Sequence, residues 1–307
     1  MRILITGSSG TIGTRLFERL FPKHEVVGVD TKQNRWHPQL NARTINLDLR
    51  KSGKLASLPK DLDLVVHLAA NARVYELVKD PRQALDNTII NYNVLDFMRR
   101  NSINKIIFAS SRETYGNIMV KKALSEEMVR LENCESPYSA SKITCEAFLH
   151  AYSKVYGMDF VIARFSNVYG MYDDSDRVIP LWLRQSLNNE DIVVYGKEKV
   201  LDFIYIDDAV DAVIKIIDKF DKIKGTTFNI ASGKGVKLSG IAQRIGELLN
   251  SKSAIIVKEN RPGEVWKFEA DISKAKKLLG FEPKIGVEDG LKKTVAWYQR
   301  PSQSGGI

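Results

Sequence analysis

Short runs of apolar residues alternate with longer segments of helical periodicity through the first two thirds of the chain. Apolar runs of this length, separated by helices, are typical of strands in a parallel sheet that is buried on both faces. The pattern therefore predicts an α/β fold, a doubly wound parallel sheet with crossover helices. The predicted strands are 3–5, 26–29, 44–47, 64–68, 106–109 and 160–164, and the predicted helices are 11–21, 81–101 and 137–156.

After residue 170 the elements become shorter and polar loops separate them. This change predicts a first domain over residues 1–170, to which 200–230 return, and a smaller, partly discontinuous C-terminal domain over 171–199 and 231–307. The last residues, 302–307, are expected to be frayed. In this part the predicted strands are 191–195, 200–206, 226–230 and 254–258, and the predicted helices are 207–220, 240–250 and 273–279.

Composition narrows the class of protein. The 307 residues are 44% hydrophobic and 27% charged, an ordinary globular balance, and no apolar run is long enough for a membrane span. Cys134 and Cys145 are the two cysteines and no Cys/His cluster is present, so we expect a cytoplasmic protein without disulfides or a metal site. The net charge of +9 comes from scattered basic residues, which indicates a solvated surface rather than a nucleic-acid site.

Three glycines, Gly7, Gly10 and Gly13, follow the first predicted strand directly and open the next helix. In this position the first permits a tight turn, the second lets backbone N–H groups approach a pyrophosphate, and the third allows close packing of helix on strand. Asp30 ends the second predicted strand, where a carboxylate accepts hydrogen bonds from an adenosine ribose and repels a 2′-phosphate. The pattern predicts a Rossmann-type first domain that binds NAD rather than NADP.

A tyrosine and a lysine four residues apart form the candidate chemical centre. The Tyr-x-x-x-Lys spacing occurs three times, and the context favours Tyr138 and Lys142 because Ser136 and Pro137 can start a helix there. A phenol in water ionises at about pH 10, so a tyrosine base needs a neighbouring cation, which Lys142 offers. Ser111, after the strand 106–109, would hydrogen-bond the reacting oxygen. Apolar residues at a period of four support the helix: Ile143, Ala147, Ala151 and Val155.

Further motifs accompany these along about residues 1–300. The full set, in chain order, is Gly7–Gly13, Asp30, Asp48–Leu49, His67–Ala70, Ser110–Gly116, Tyr138–Lys142, Arg164–Gly170, Asp202–Asp208 and Arg261–Glu264. With it, the sequence resembles the extended short-chain dehydrogenase/reductase family, and within it the NAD-dependent nucleotide-sugar epimerases and dehydratases of the UDP-glucose 4-epimerase type.

The resemblance implies a role for each matching residue. NAD would be held by Gly7, Gly10, Thr11, Ile12, Gly13, Asp30, Asp48, Leu49, Leu68, Ala69, Ala70, Tyr138, Lys142 and Phe165. A nucleotide-diphosphate sugar, with a UDP-hexose favoured, would be held by Ser111, Tyr138, Asn167, Arg177, Val178, Val193, Tyr195, Arg261 and Glu264. The catalytic set would be Ser111, Tyr138, Lys142 and Glu113, without a metal. The resemblance also implies a homodimer that pairs through segments 87–100 and 139–156, and a nucleotide-sugar-binding C-terminal domain.

Three positions depart from the family pattern. Leu201 stands where many relatives have an arginine for the diphosphate, and Ala72 replaces a family lysine, with Arg73 beside it. Arg112 precedes Glu113 where the 4,6-dehydratases have an Asp-Glu pair. The candidates to replace the missing arginine are Arg177, Lys199 and Arg261.

Three functions are weighed on this basis. The first is a nucleotide-sugar 4-epimerase that interconverts UDP-glucose and UDP-galactose through a 4-keto intermediate, with Tyr138 as base. The second uses the same intermediate for UDP-glucuronate decarboxylation, which Glu113 favours, or for 4,6-dehydration, which Arg112 disfavours. The third is a non-catalytic NAD-binding protein, which would not need Ser111, Tyr138 and Lys142 together. The first is the function that we expect.

Overall fold

Alternate residues of the central strand β1 (Arg2–Thr6) belong to two different hydrophobic cores. Ile3 and Ile5 pack with helix α1 (Thr11–Leu20) on one face of the sheet, whereas Leu4 packs with α3 (Arg82–Arg100) on the other. All three side chains are buried because helices cover both faces of the sheet. The computed structural model describes residues 1–118 and 120–300, so the tail 302–307, expected to be frayed, lies outside the described residues.

Seven parallel strands form the main sheet: β1, β2 (Glu25–Asp30), β3 (Thr44–Asn46), β4 (Leu64–His67), β5 (Lys105–Ser111), β6 (Asp159–Phe165) and β10 (Thr226–Ile230). They are hydrogen-bonded in the order β10-β6-β5-β4-β1-β2-β3. Because β2 and β4 lie on opposite sides of β1, a crevice opens between the loops at the carboxyl ends of these strands. The predicted doubly wound parallel sheet is confirmed.

Helices cover both faces of this sheet. α1 packs beside α6 (Ile206–Ile223) on one face, and α3 packs beside α4 (Pro137–Tyr156) on the other. α2 (Val74–Lys79) follows β4 and contacts α3 and α4. Short 3-10 helices lie in the connections at Pro38–Arg43, Ser52–Ser57, Arg112–Tyr115, Glu126–Met128 and Leu131–Asn133.

Two small sheets lie outside the main one. β7 (Asn167–Tyr169), β9 (Val200–Tyr205) and β11 (Gly235–Lys237) form the first, and β8 (Ile192–Tyr195) with β12 (Ile255–Lys258) forms the second. The remaining helices are α5 (Val178–Leu187), α7 (Leu238–Leu249), α8 (Ser273–Leu279) and α9 (Val287–Tyr298). Between residues 1 and 300, leaving out residue 119, no helix is long and apolar enough to cross a membrane.

The apolar residues that recur every four positions along α4 face outward rather than into the core. The helix spans its predicted residues, but Val155 is 69% exposed, Ala147 and Ala151 are also exposed, and Ile143 is half-buried. The inner face combines apolar side chains with two charged ones, Lys142 and Glu146, whose hydrogen-bond partners lie on β5 and β6. Its buried residues are Tyr138, Ser139, Ser141, Lys142, Cys145, Glu146, Leu149 and Tyr152.

Candidate functional site

A cavity of about 740 Å³ lies at the carboxyl ends of the main-sheet strands, over the crevice beside β1. All the residues predicted to bind a cofactor or to act in catalysis line it. Of the residues predicted to bind the substrate, all but Val193 and Tyr195 line it. Among the described residues, no group of His, Cys, Asp and Glu could hold a metal ion.

The glycine turn fits a pyrophosphate. Gly7 has a φ of +72°, which favours glycine, and a Cβ on Gly13 would overlap the carbonyl oxygen of Gly7. Helix α1 begins after Gly10, and no side chain caps its first turn. The backbone N–H groups there are therefore available for an anion, and the positive end of the helix dipole favours one.

Two acidic residues, Asp30 and Asp48, lie at one end of the cavity. Asp30 accepts hydrogen bonds from the backbone N–H groups of Ser9 (3.0 Å) and Lys32 (2.9 Å), which fix its carboxylate at the end of β2. Asp48 is paired with Arg50 at 2.8 Å, and this hydrogen-bonded guanidinium holds the pKa of Asp48 below its usual range. Both carboxylates line the cavity, so its floor offers charged acceptors for ribose hydroxyls and the adenine edge. These groups fit NAD.

Tyr138 and Lys142 lie on the inner face of the first two turns of α4. Ser136 caps this helix by accepting a hydrogen bond from the backbone N–H of Ser139 at 3.2 Å, and Pro137 occupies the first helical position, as the sequence predicted. Lys142 Nζ donates to the carbonyl oxygen of Ala109 at 2.8 Å and lies 5.9 Å from the centre of the Tyr138 ring. The ammonium group is thus fixed beside the phenol, in a buried position where its charge is weakly screened.

Ser111 ends β5 and faces the same cavity. Its Oγ accepts a hydrogen bond from the backbone N–H of Glu113 at 3.2 Å, so its hydroxyl proton is still available to donate. Glu113 is buried, and burial raises the pKa of its carboxyl group while the charge of Arg112 opposes the shift. Arg112 and Glu113 form an ion pair at 2.6 Å.

Beneath these residues lies a network that the sequence analysis did not identify. Glu146 accepts hydrogen bonds from Ser110 Oγ (2.5 Å) and from two nitrogens of Arg164 (2.9 and 2.7 Å), and all three residues are buried. It ties α4 to the ends of β5 and β6, next to Ser111. The sequence contained a signal for Glu146, because it follows Lys142 by four residues, just as Lys142 follows Tyr138, and this spacing places all three on one face of the helix.

Polar groups from the C-terminal half line the other end of the cavity. Asn167 donates to the carbonyl oxygen of Asp202 at 2.8 Å, and Lys199 pairs with Glu264 at 2.6 Å. Arg177 and Val178 also line this end, at the start of α5. The cavity therefore joins the glycine turn to a region with several cations.

Tyr195 and Val193 stand outside the cavity lining. The guanidinium of Arg261 lies 3.8 Å from the centre of the Tyr195 ring and 4.7 Å from that of Tyr75, between the two rings. Arg261, which lines the cavity, therefore lies between the cavity and the Tyr195 ring. Val193 is half-buried in β8, and its carbonyl oxygen accepts a hydrogen bond from Trp182.

Known proteins resemble this chain over nearly its whole length. A family model described as the NAD dependent epimerase/dehydratase family matches residues 3–231. A putative UDP-glucose 4-epimerase of Methanocaldococcus jannaschii is 30% identical, covering 98% of this chain and 100% of its own length.

Solved structures with the same fold include two epimerases. UDP-glucose 4-epimerase of Thermotoga maritima, crystallised with UDP-glucose, has a TM-score of 0.88 and 29% identity, covering 97% of this chain and 99% of that one. UDP-glucuronic acid 4-epimerase of Bacillus cereus, with UDP-glucuronic acid and NAD, has a TM-score of 0.88 and 27% identity, covering 97% and 98%. The match of the family model, together with the glycine turn and the Tyr138–Lys142 pair, places the chain in the NAD-dependent epimerase/dehydratase family of extended short-chain dehydrogenases/reductases, enzymes that act on nucleotide sugars with NAD.

Proposed function

We propose that this protein is a UDP-hexose 4-epimerase that interconverts UDP-glucose and UDP-galactose through a transient 4-keto sugar. The observation that carries the proposal is the placement of Ser111, Tyr138 and Lys142 in one cavity with the glycine turn. A sugar carbon next to Tyr138 can then lie close to a dinucleotide bound over that turn. The similarity to UDP-glucose 4-epimerases over the whole chain supports the same activity.

In this reaction, residues of the chain would remove the proton of the C4 hydroxyl group and donate a hydrogen bond to its oxygen. Tyr138 takes the proton of the C4 hydroxyl, and Lys142 stabilises the phenolate that makes this transfer possible. Ser111 donates its free hydroxyl proton to the same oxygen, which holds the sugar while its C4–H bond is broken. NAD, held over the glycine turn, would supply the hydride chemistry at C4 on which an inversion through the ketone depends.

Two other outcomes share the 4-keto step. Dehydration needs a carboxylic acid pair beside the catalytic hydroxyl, but Arg112 stands at one of the two positions and holds Glu113 in an ion pair. Decarboxylation, which Glu113 favoured on the sequence alone, needs a cation for the C6 carboxylate, and the guanidinium of Arg112 is already paired with Glu113 at 2.6 Å. The arrangement therefore supports epimerisation, in which no group leaves the sugar.

A proton NMR time course with UDP-galactose and trace NAD tests this function. We expect the anomeric signal of UDP-glucose to grow to a stable mixture without net NADH. The Tyr138→Phe variant should still bind NAD but leave the UDP-galactose signal unchanged. A flat spectrum from wild-type protein that binds NAD would refute the proposal.

The outer face of α3 and α4 is the proposed contact of a cytoplasmic homodimer. The outward stripe of α4 lies beside two aromatic side chains, Tyr92 of α3, which is 44% exposed, and the half-buried Phe148, with 6.4 Å between their ring centres. An exposed apolar face of this kind is typical of a protein contact. Light scattering should give the mass of a dimer for the wild type and of a monomer for Val155→Glu, whereas Leu278→Glu, a change at an exposed position of α8, should remain dimeric. A monomeric wild type would contradict the assembly.

A further inference from the structure

Tyr172, in the connection between β7 and α5, has an unusual backbone conformation. Among the residues that the structure describes, those other than glycine with a left-handed φ are Ser102, Tyr172, Asn189 and Asn250. Tyr172, with a φ of +64°, has the largest side chain of the four, and this region is costly for a bulky residue. Such a conformation persists only where the surroundings enforce it, and it is often found at functional sites.

Contacts of both the side chain and the main chain hold Tyr172 in place. Its hydroxyl group lies 2.7 Å from His37 Nε2 and donates to Glu18 Oε2 at 3.3 Å. Its ring packs edge-on against that of Trp297 in α9, with 5.5 Å between the ring centres. Its carbonyl oxygen accepts a hydrogen bond from Thr11 Oγ1 at 3.0 Å. Because Thr11 is the first residue of α1, Tyr172 is attached directly to the helix that follows the glycine turn.

The segment that begins at Tyr172, residues 172–177, crosses the cofactor crevice and is called the strap below. The crevice lies between the loops that follow β2 and β4. Arg35, in the connection after β2, pairs with Asp174 at 2.6 Å. Arg73, in the connection after β4, pairs with Asp176 at 3.0 Å. The strap is therefore attached to both sides of the crevice.

The two ion pairs hold the strap less firmly than Tyr172 does. Their four side chains are between 43% and 63% exposed, and exposed ion pairs contribute little because water and salt screen them. Tyr172, by contrast, is 9% exposed and combines hydrogen bonds with aromatic packing. The position of the strap therefore depends mainly on this one residue.

The far end of the strap lies at the other end of the cavity. Arg177 and Val178 line the cavity there, at the start of α5. Arg184 of α5 fixes this end by donating to the carbonyl oxygens of Asp174 and Ser175, at 3.0 and 3.1 Å. A ligand that contacts Arg177 or Val178 would therefore hold the strap closed across the crevice.

We propose that Tyr172 is a positioning residue, which fixes the strap across the crevice so that NAD is retained while a nucleotide sugar is bound. The inference rests on the proposed function only for the choice of UDP as the ligand of the far end. It assigns to Tyr172 the control of cofactor release, without a contact to the reacting atoms.

The release of bound NAD tests this role without turnover. The protein is loaded with radiolabelled NAD, an excess of unlabelled NAD is added, and the label that stays bound is followed with and without UDP. For the wild type we expect UDP to slow the release at least about tenfold, because UDP holds the strap and NAD leaves only when the strap opens.

Tyr172→Gly removes the anchoring side chain but suits the left-handed backbone. This variant should release NAD at least about tenfold faster than the wild type, since a lost buried hydrogen bond and a lost ring contact each change an equilibrium by about that factor. UDP should then have little effect on the rate. Tyr172→Phe keeps the ring and should release NAD more slowly than Tyr172→Gly.

Two further variants control this result. Asn250→Gly also places glycine at a left-handed position, at the end of α7 and outside the cavity lining, and should release NAD at the wild-type rate. Trp297→Leu leaves the strap unchanged but removes the ring that packs on Tyr172, and should speed release, which keeps the test open if Tyr172→Gly does not fold. A merely structural role for Tyr172 would lower the midpoint of urea unfolding and leave the effect of UDP on release unchanged.

The outcomes separate this inference from the proposed function. If Tyr172→Gly releases NAD at the wild-type rate, or if bound UDP slows release equally in both proteins, the role of Tyr172 is wrong, whatever reaction the wild type performs. If UDP does not bind, the proposed UDP-hexose substrate is wrong, and the rate of Tyr172→Gly alone decides on the strap. If release changes as expected but the wild type converts no UDP-galactose, the strap stands and the proposed epimerisation is wrong.

Discussion

His67 should make the stability of this protein sensitive to mild acid. The side chain lies buried at the end of β4, with its Nδ1 2.6 Å from Thr6 Oγ1 and its ring 5.8 Å from that of Phe108. Burial, together with the nearby charge of Lys142, lowers the pKa of His67 from 6.5 to about 3. In the unfolded chain the imidazole binds a proton as the pH falls through 6.5, whereas in the folded protein it stays neutral. The stability that depends on this neutral ring is therefore complete above about pH 6.5 and is lost as the pH falls toward 3.

The size of the effect follows from the difference between the two pKa values. Each pH unit below 6.5 costs the folded state about 1.4 kcal/mol, which gives about 2 kcal/mol at pH 5. Carboxylates also titrate in acid, so the measurement compares variants. Urea unfolding at pH 7.5 and pH 5 should show that the wild type loses about 2 kcal/mol more than His67→Gln, which does not titrate.

An exposed histidine supplies the control for this prediction. His150→Gln should lose as much stability as the wild type between the two pH values, because His150 is solvated in both states. Equal losses for the wild type and His67→Gln would show that the buried ring becomes protonated without unfolding, and would refute the reasoning.

Three further predictions concern the site and its support. Tyr138→Phe should reduce kcat for 4-epimerisation by about a hundredfold or more, with NAD still bound; retained kcat would exclude Tyr138 as the base. Gly13→Ala should abolish NAD binding, measured by absorbance of the purified protein, because the new methyl group would overlap the carbonyl oxygen of Gly7. The control Gly53→Ala has open space around the new methyl group and should bind NAD normally. NAD bound to the Gly13→Ala variant would contradict this packing argument. Asp202→Asn should lower the free energy of unfolding, measured by urea denaturation, by about 1–3 kcal/mol, because the buried carboxylate accepts hydrogen bonds from the backbone N–H groups of Ser232 and Gly233. An unchanged midpoint of urea unfolding would show that an amide can replace the carboxylate.

Features that depend on neighbouring residues could be predicted from the sequence. The strands of the main sheet, the capped start of α4 at Ser136 and the glycine turn are set by local periodicity and local hydrogen bonding. The Tyr138–Lys142 pair could be chosen over its two competitors for the same reason, since its cap and its helix lie within a few residues.

Features that depend on distant parts of the chain could not be predicted. β7 and β11 are three residues each and exist because both pair with β9, and neither they nor helices α5 and α9 were predicted. The position of Arg261 between Tyr75 and Tyr195 joins three segments that are far apart in sequence. The outward direction of the α4 stripe had the same origin, because the partners of Glu146 on β5 and β6 decide which face of the helix is buried.

The pairing of β10 with β6 has a consequence for how the protein can be made. Residues 226–230 form the outermost strand on one side of the main sheet, and α6, which precedes them, packs on α1 beside the glycine turn. During synthesis, β6 therefore remains unpaired on this side until β10, which follows β7, β8, β9 and α6 in the chain, has left the ribosome. A fragment that stops at residue 170 would expose that edge and the inner face of α1, and would aggregate rather than hold a dinucleotide. The smallest piece that can fold around the cofactor thus already contains β7 and β9, whose residues line the far end of the cavity.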